Sequence, residues 1–302
     1  MSAPERTLGR PRKAPKKKAP MKGLSPGVQT RGLIRGRLWH YHIWLALTAV
    51  LIAFPLLYAM LISTQTNAEI FSFQFTPGSA LRDNFEVVWF TRDFSGAMWN
   101  STLQAVYVTT GKTILSLLAG LAFVYFKFRG KWIVFFFVLV TLMMPTEVMI
   151  LAMFRMVSGF GWQDTMASIT IPFLASATGA FLFRQHFANM PVELLEASQI
   201  DGASPVQFLT RVLIPISWNV IAALFVIQFV YTWNMFLWPS LIIRDESKMV
   251  VQVALQTLTN IDGSLNYGPL MLAAIIASIP PALIFMAMQK PFMSGFAIGQ
   301  DK

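Results

Sequence analysis

The sequence predicts an all-α membrane protein with six transmembrane helices and both termini in the cytoplasm. Three observations carry that prediction. Of 302 residues, 55% are hydrophobic and only 13% charged, about half the charge of an ordinary globular domain, roughly 25%. Six windows are long and apolar enough to cross a bilayer, which takes about 20 residues at ~1.5 Å rise each. The basic residues crowd one side of those windows. Length alone would suit one large or two medium soluble domains, but this composition excludes them.

The chain opens on a basic tail, residues 1–37, holding 11 Lys/Arg and the single acid Glu5. Its Pro, Gly and Lys content predicts disorder, with topology enforcement and contact with anionic lipid as its role. The remainder, 38–302, reads as one membrane domain with 13 basic and 13 acidic side chains. A neutral body lacks the basic face that nucleic-acid binding needs. There are no cysteines, which excludes disulfide scaffolds, thiolate metal ligands and thiol catalysis.

The predicted spans cover about 41–62, 100–126, 132–157, 165–187, 216–240 and 268–289. The first is too long, and its basic leader too extended, for a cleaved signal, so it reads as a retained span. The second window contains one charge, Lys112, and the third one, Glu147. The fifth apolar run covers 212–243, too long to lie wholly in the bilayer. Orientation follows from the loops. The odd-numbered side holds 18 Lys/Arg and the other side four (Arg82, Arg92, Arg244 and Lys248), so the rich side is cytoplasmic.

Several spellings of chemistry dissolve on inspection. Thr109–Thr113 (TTGKT) resembles the end of a phosphate loop, but position 106 is Val106 rather than Gly, and the run lies in a membrane helix. Asn100 begins a glycosylation sequon, for which a helix start is the better use. His40, His42 and His186 sit near membrane borders without a carboxylate cluster, so no metal site is expected. No Ser/His/Asp arrangement appears, and no catalytic residue is expected. An intramembrane lipid-modifying enzyme is the remote alternative.

The segment 188–215 predicts two short cytoplasmic helices with a hinge. Pro191 suits a first helical turn and Glu193 its positive end. Leu194, Ala197 and Ile200 follow on one face. Asp201-Gly202 ends the helix, because Gly tolerates a left-handed cap. Ser204-Pro205-Val206-Gln207 spells a capping box with Pro at the first position. Val206, Leu209, Val212 and Leu213 form the second apolar face, and Pro215 opens the fifth span. A knob of this kind, fixed to membrane helices, is what a cytoplasmic partner needs to push.

The run Glu196-Ala197-Ser198, three residues, Gly202, nine residues, then Val212-x-Ile214-Pro215 resembles the EAA loop of ABC importer permeases. Ser198, Val212 and Ile214 depart conservatively from its Ala, Ile and Leu. The runs Ser176–Thr178, Phe181–Gln185, Ile200–Pro205 and Tyr231–Ile242 look like the maltose-type carbohydrate class, and most like the second permease of glycerol-3-phosphate importers. The likeness covers about residues 95–295. It implies a type I ABC importer permease with a cytoplasmic coupling helix, in a bacterial or archaeal cell membrane. It implies a second homologous permease, two ATP-binding subunits and an extracytoplasmic solute-binding protein as partners. No cofactor is implied in this chain; ATP and Mg are bound by the partner ATPases. Glu193, Glu196, Ala197, Asp201, Gly202 and Ala203 would couple to the ATPase. The solute would be glycerol-3-phosphate or a related glycerophosphodiester, the alternative being another sugar or disaccharide.

Charge inside a membrane is costly and usually faces a partner or a cavity. Lys112 and Glu147 have similar depth and opposite sign, which predicts a pair, with direct contact to substrate as the other use. Arg155 lies eight residues past Glu147, about 12 Å along a helix, near the outer mouth, where it would meet an anion or serve as an anchor. Tyr231, Asn234 and Trp238, at i, i+3 and i+7, predict an aromatic and amide face suited to a polyol, against an interfacial belt or packing on the partner permease.

Overall fold

A computed structural model describes residues 39–259 and 265–297, without the side chains of residues 146, 147 and 294–297. The basic tail therefore lies outside the described residues. The chain divides into two compact units between Phe54 and Pro55. In the first, the described residues 39–54 are helical and almost wholly apolar. The second holds everything that follows, and the architecture below is its own.

Every described element is helical. Helix α1 (Trp39–Ile62) runs through Pro55. A connecting region then carries α2 (Asn67–Phe71), closed by a Thr66/Glu69 capping box, and α3 (Leu81–Glu86), which continues as a π turn over Val87–Thr91. Helix α4 (Phe94–Tyr125) is the central element. Asp93 caps its start by accepting a hydrogen bond from the Gly96 amide. Next come α5 (Lys131–Leu142), α6 (Thr146–Gly159), α7 (Met166–Thr170) with a 3-10 turn at Ile171–Phe173, and α8 (Ala177–Ala188). The expected coupling segment follows as α9 (Glu193–Ile200) and α10 (Pro205–Phe208), with a π turn at Leu209–Leu213. Then come α11 (Trp218–Trp233), α12 (Leu237–Ile242), α13 (Val251–Thr257) and α14 (Tyr267–Ala297).

Four helical stretches are individually long and apolar enough to span: Trp39–Ile62, Phe94–Tyr125, Met166–Ala188 and Tyr267–Met293. The third expected span is interrupted. It consists of α5 and α6, because Pro145 lacks an amide donor and disfavours helix in the residue before it. The fifth expected span, 216–240, shortens to α11, and α12 follows after a break at Asn234–Phe236. Pro215 does not open that span. It sits in a short turn (Ile214–Ile216) ahead of Trp218, where the chain bends by 80°.

α4 packs along both α8 and α11, and α11 packs along α14. Close approach of α4 and α8 depends on small residues. A Cβ at Gly120 would lie 2.6 Å from Phe183 Cβ and 3.0 Å from its carbonyl carbon. One cluster, Leu117, Leu121, Phe183, Phe187, Phe208, Leu209, Leu213 and Leu224, ties the two membrane helices to α10 and α11. The knob is thus part of the core, not a loose loop.

Candidate functional site

The knob is built by local chemistry. Gly202 adopts φ +70°, and the amides of Gly202 and Ala203 donate to Gln199 O and Ser198 O, closing α9. Ser204 accepts from the Gln207 amide while the Gln207 side chain accepts from the Ser204 amide, the expected capping box. Two details differ from the sequence reading. Pro191 precedes α9 by two residues instead of occupying its first turn. The inward face is also rotated: Leu195 and Ser198 pack inward, while Ala197 is exposed and Ile200 is 86% exposed. Phe208 is buried in place of Val206, which is 67% exposed. The cause is the core cluster, which takes Leu195, one residue on from Leu194, in α9 and Phe208, two residues on from Val206, in α10, while Leu209, Val212 and Leu213 pack on it as expected. Glu193, Glu196, Asp201 and Gly202 are exposed and Ala203 is half-buried. Carboxylates and apolar side chains therefore share one outer surface.

His186 at the end of α8 lies 3.0 Å from the hydroxyl of Ser217, which is fully buried at the 80° bend. Span four and the root of α11 are joined at that point. Among the described residues, no three His, Asp or Glu side chains form a metal-sized group.

At its other end α11 lines two adjoining cavities of about 590 Å³ and 430 Å³ that share Phe173 and Tyr231. Lys112 is 6% exposed on the wall of the larger. Its ammonium donates to Gln228 Oε1 at 2.9 Å and lies 4.9 Å from the Tyr231 ring centroid. Gln228 Nε2 reaches Ser176 Oγ at 3.5 Å, and Ser176 also caps α8 through the Gly179 amide. No carboxylate among the described residues pairs with Lys112. The Glu147 side chain, and with it the expected Lys112–Glu147 pair, lies outside the described residues. A buried cation held by a neutral amide and an aromatic face leaves attraction for an anion.

The smaller cavity is lined by Tyr231, Asn234 and Trp238 together, although not as one continuous helix face. α11 stops at Trp233 and Asn234 caps it, its amide donating to Val230 O and its carbonyl accepting from Gln252 Nε2 at 3.3 Å. Trp238 is 2% exposed, and its indole donates to Ser168 O, so packing occupies most of that ring. Arg155 is exposed on α6 and lines neither cavity. Gln228, Ser176 and Gln252 were not singled out from the sequence as solute-path residues. The signal available was a lone Gln inside the apolar run 212–243.

Beside this region, loop 243–250 is held firmly. Asp164 accepts hydrogen bonds from the backbone amides of Arg244 and Asp245, which hold its carboxyl below the usual aspartate range. Asn100 lies inside α4 and not at its start. Its amide donates to the carbonyls of Ser247 and Met249. Thr109 and Thr113 are buried inside α4, so TTGKT is helix and not a phosphate loop.

Residues 112–294 match the family described as the binding-protein-dependent transport system inner membrane component. Over 264 residues the chain is 36% identical to the sn-glycerol-3-phosphate transport system permease protein UgpE of Brucella melitensis, covering 84% of this chain and 94% of that protein. The UgpE protein of Salmonella typhimurium is 36% identical over 270 residues, covering 86% and 96%. Among solved structures, a bacterial ABC transporter involved in import of the acidic polysaccharide alginate superposes with a TM-score of 0.74 at 20% identity, over 88% of this chain and 99% of that one. The alginate transporter in complex with an alginate pentasaccharide-bound periplasmic protein gives a TM-score of 0.57 at 18% identity, over 84% and 93%. At these identities the two structures speak for the fold.

Proposed function

This chain belongs to the family of binding-protein-dependent transport inner membrane components, and from that premise we propose that it is a translocating permease subunit whose solute is glycerol-3-phosphate or a closely related glycerophosphodiester. The observation that carries the solute class is Lys112, a buried cation on a cavity wall beside the donors and acceptors of Gln228, Ser176 and Tyr231. A phosphate monoester or diester supplies an anion for this cation, and the neighbouring amides and aromatic ring suit a small polyol. The names of the UgpE relatives agree with that chemistry.

In this reading the chain crosses a bacterial inner membrane six times. The pairs α5–α6, α7–α8 and α11–α12 each make one interrupted crossing, and both termini are cytoplasmic, as the bias of 18 basic residues against four supports. A second homologous permease completes the pathway, an extracytoplasmic binding protein delivers the solute, and two ATP-binding subunits hold ATP and Mg. The knob docks on one of those ATPases through Glu193, Glu196, Ala197, Asp201, Gly202 and Ala203. The exposed apolar side chains of Val192, Ile200 and Val206 support that docking. This chain catalyses no bond change; work enters through contact.

The test is uptake of labelled glycerol-3-phosphate by the assembled importer in proteoliposomes. Hydrogen bonds to charged groups are worth ~1.5–3 kcal/mol, so Lys112→Gln should lower uptake about 10- to 150-fold, with Lys112→Arg retaining part of it. Unchanged uptake in correctly inserted Lys112→Gln would remove the anion role.

A further inference from the structure

The turn between α4 and α5 carries Lys127 and Arg129, α5 opens on Lys131, and Arg184 of α8 approaches the same place. The Arg184 guanidinium lies 5.1 Å from the Trp132 ring and 4.5 Å from the Phe135 ring. Lys127, Lys131 and Trp132 line a cavity of about 310 Å³ with Phe128, Gly130 and Ile133. Lys131 reaches back to the carbonyls of Val124 and Phe126 at the end of α4, leaving Lys127 and Arg129 exposed. No acidic residue occurs between 94 and 146 or between 165 and 192, so neither element at this site supplies a balancing carboxylate. Directly beyond the cations, α5 presents Ile133, Phe136, Phe137 and Val140 at i, i+3, i+4 and i+7, exposed by 76, 67, 68 and 39%.

We propose that this surface is a site for one anionic phospholipid, its phosphate held by Lys127, Arg129 and Arg184 and its acyl chain lying on the α5 stripe. Charge complementarity chooses the headgroup: Lys127, Lys131 and Arg184 lie beside Trp132, and Arg129 is exposed in the same turn, where a zwitterionic lipid would leave them unbalanced. The stripe chooses a lipid over free phosphate, because a soluble anion uses only the polar end of the surface. The site is separate from the solute cavities and does not depend on the choice of solute. Arg184 joins the lipid to α8, which packs on α4 beside the knob.

The experiment compares the assembled importer in nanodiscs of phosphatidylcholine with and without phosphatidylglycerol, counting retained phosphatidylglycerol by native mass spectrometry. The variant is Lys127→Gln with Arg129→Gln, which spares the bonded Lys131. The control, Arg82→Gln with Arg244→Gln, removes equal charge from exposed positions outside this surface. Each basic side chain near an anionic surface is worth ~1 kcal/mol, so the variant should bind phosphatidylglycerol about 30-fold more weakly while the control retains it. Equal retention in variant and wild type overturns the proposal, as does equal loss in the control. Release of the lipid by inorganic phosphate at ordinary ionic strength would mark the site as one for free phosphate. A cross-link from Phe137→Cys to the second permease would give the stripe to that subunit. Either result also overturns the proposal.

Discussion

Gly202 offers the sharpest test of the coupling geometry, because its backbone and its surroundings make separable demands. Its φ is +70°, and a Cβ built there meets nothing within 4 Å. Gly202→Ala therefore creates no clash, and its whole cost is the left-handed backbone, about 1–2 kcal/mol for an L residue. That figure disfavours the bent knob about 5- to 30-fold relative to an open one. Asn tolerates the left-handed region, so Gly202→Asn should cost less despite its larger side chain. Gly202→Asp shares much of that tolerance but adds a charge beside Asp201 on the proposed docking surface. The assay is solute uptake by the reconstituted importer, run beside ATP hydrolysis and a protease check of insertion. The expected order is Gly, then Asn, then Ala. Asp should fall well below Asn and leave ATP hydrolysis uncoupled from uptake. Full uptake in Gly202→Ala would show that the bend is not required. Equal loss in Asn and Ala would show that bulk, rather than backbone conformation, matters at this position.

Other expectations rest on separate contacts. Gly120→Ala pushes a methyl group onto the backbone of Phe183 and should cost about 1–3 kcal/mol of overpacking, seen as a lower Tm of the detergent-solubilised protein; an unchanged Tm would deny the close α4–α8 approach. Asn234→Ala removes an amide from the smaller cavity and a partner of Gln252; uptake should fall several-fold at constant insertion, and unaffected uptake returns Asn234 to capping α11. Asp164 has a depressed carboxyl pKa because two backbone amides donate to it. Its contribution to the loop clamp is therefore present above the ordinary Asp value, about 3.9, and is lost as pH falls through the lower folded value. Amide exchange at Arg244 and Asp245 should be protected at neutral pH and released in acid. Asp164→Asn should be poorly protected at both.

Much of this was legible because membrane insertion and capping are local problems. Apolar length located the helices, and the Ser204–Gln207 box and the left-handed Gly202 follow from side chains within four residues of each other. The failures came where long-range packing decides. Leu194, Ala197 and Ile200 form a plausible apolar stripe, yet α9 turns Leu195 inward because the cluster around Phe187 and Phe208 lies on that side. Tyr231, Asn234 and Trp238 obey helical spacing, yet the helix ends before Trp238. They line one cavity across the break at Asn234–Phe236, with Trp238 contributed by α12. Gln228 escaped notice because an amide in an apolar run has no sequence partner. Its partner, Lys112, is 116 residues away.

The placement of α11 links the two ends of the mechanism. Its 16 residues make a rod of about 24 Å. At one end is the buried Ser217, bound by His186 and adjoining the knob through Leu213 O. At the other end are Gln228, Tyr231 and Asn234 on the cavity walls. α8 runs beside it with the same two attachments: Ser176 faces the cavity and His186 meets the bend. A rotation imposed at the knob would therefore displace two antiparallel helices joined at both ends, through His186–Ser217 and Ser176–Gln228, beside Lys112. Close packing around Gly120 and Phe183 keeps α4, the helix that carries Lys112, in step with α8. Breaking the bend contact should separate these functions. His186→Phe preserves an aromatic ring but removes the bond to Ser217. ATP hydrolysis by the assembled importer should persist while solute moved per ATP falls. If the ratio stays at the wild-type value, force does not pass through this junction and must reach the cavity along α4.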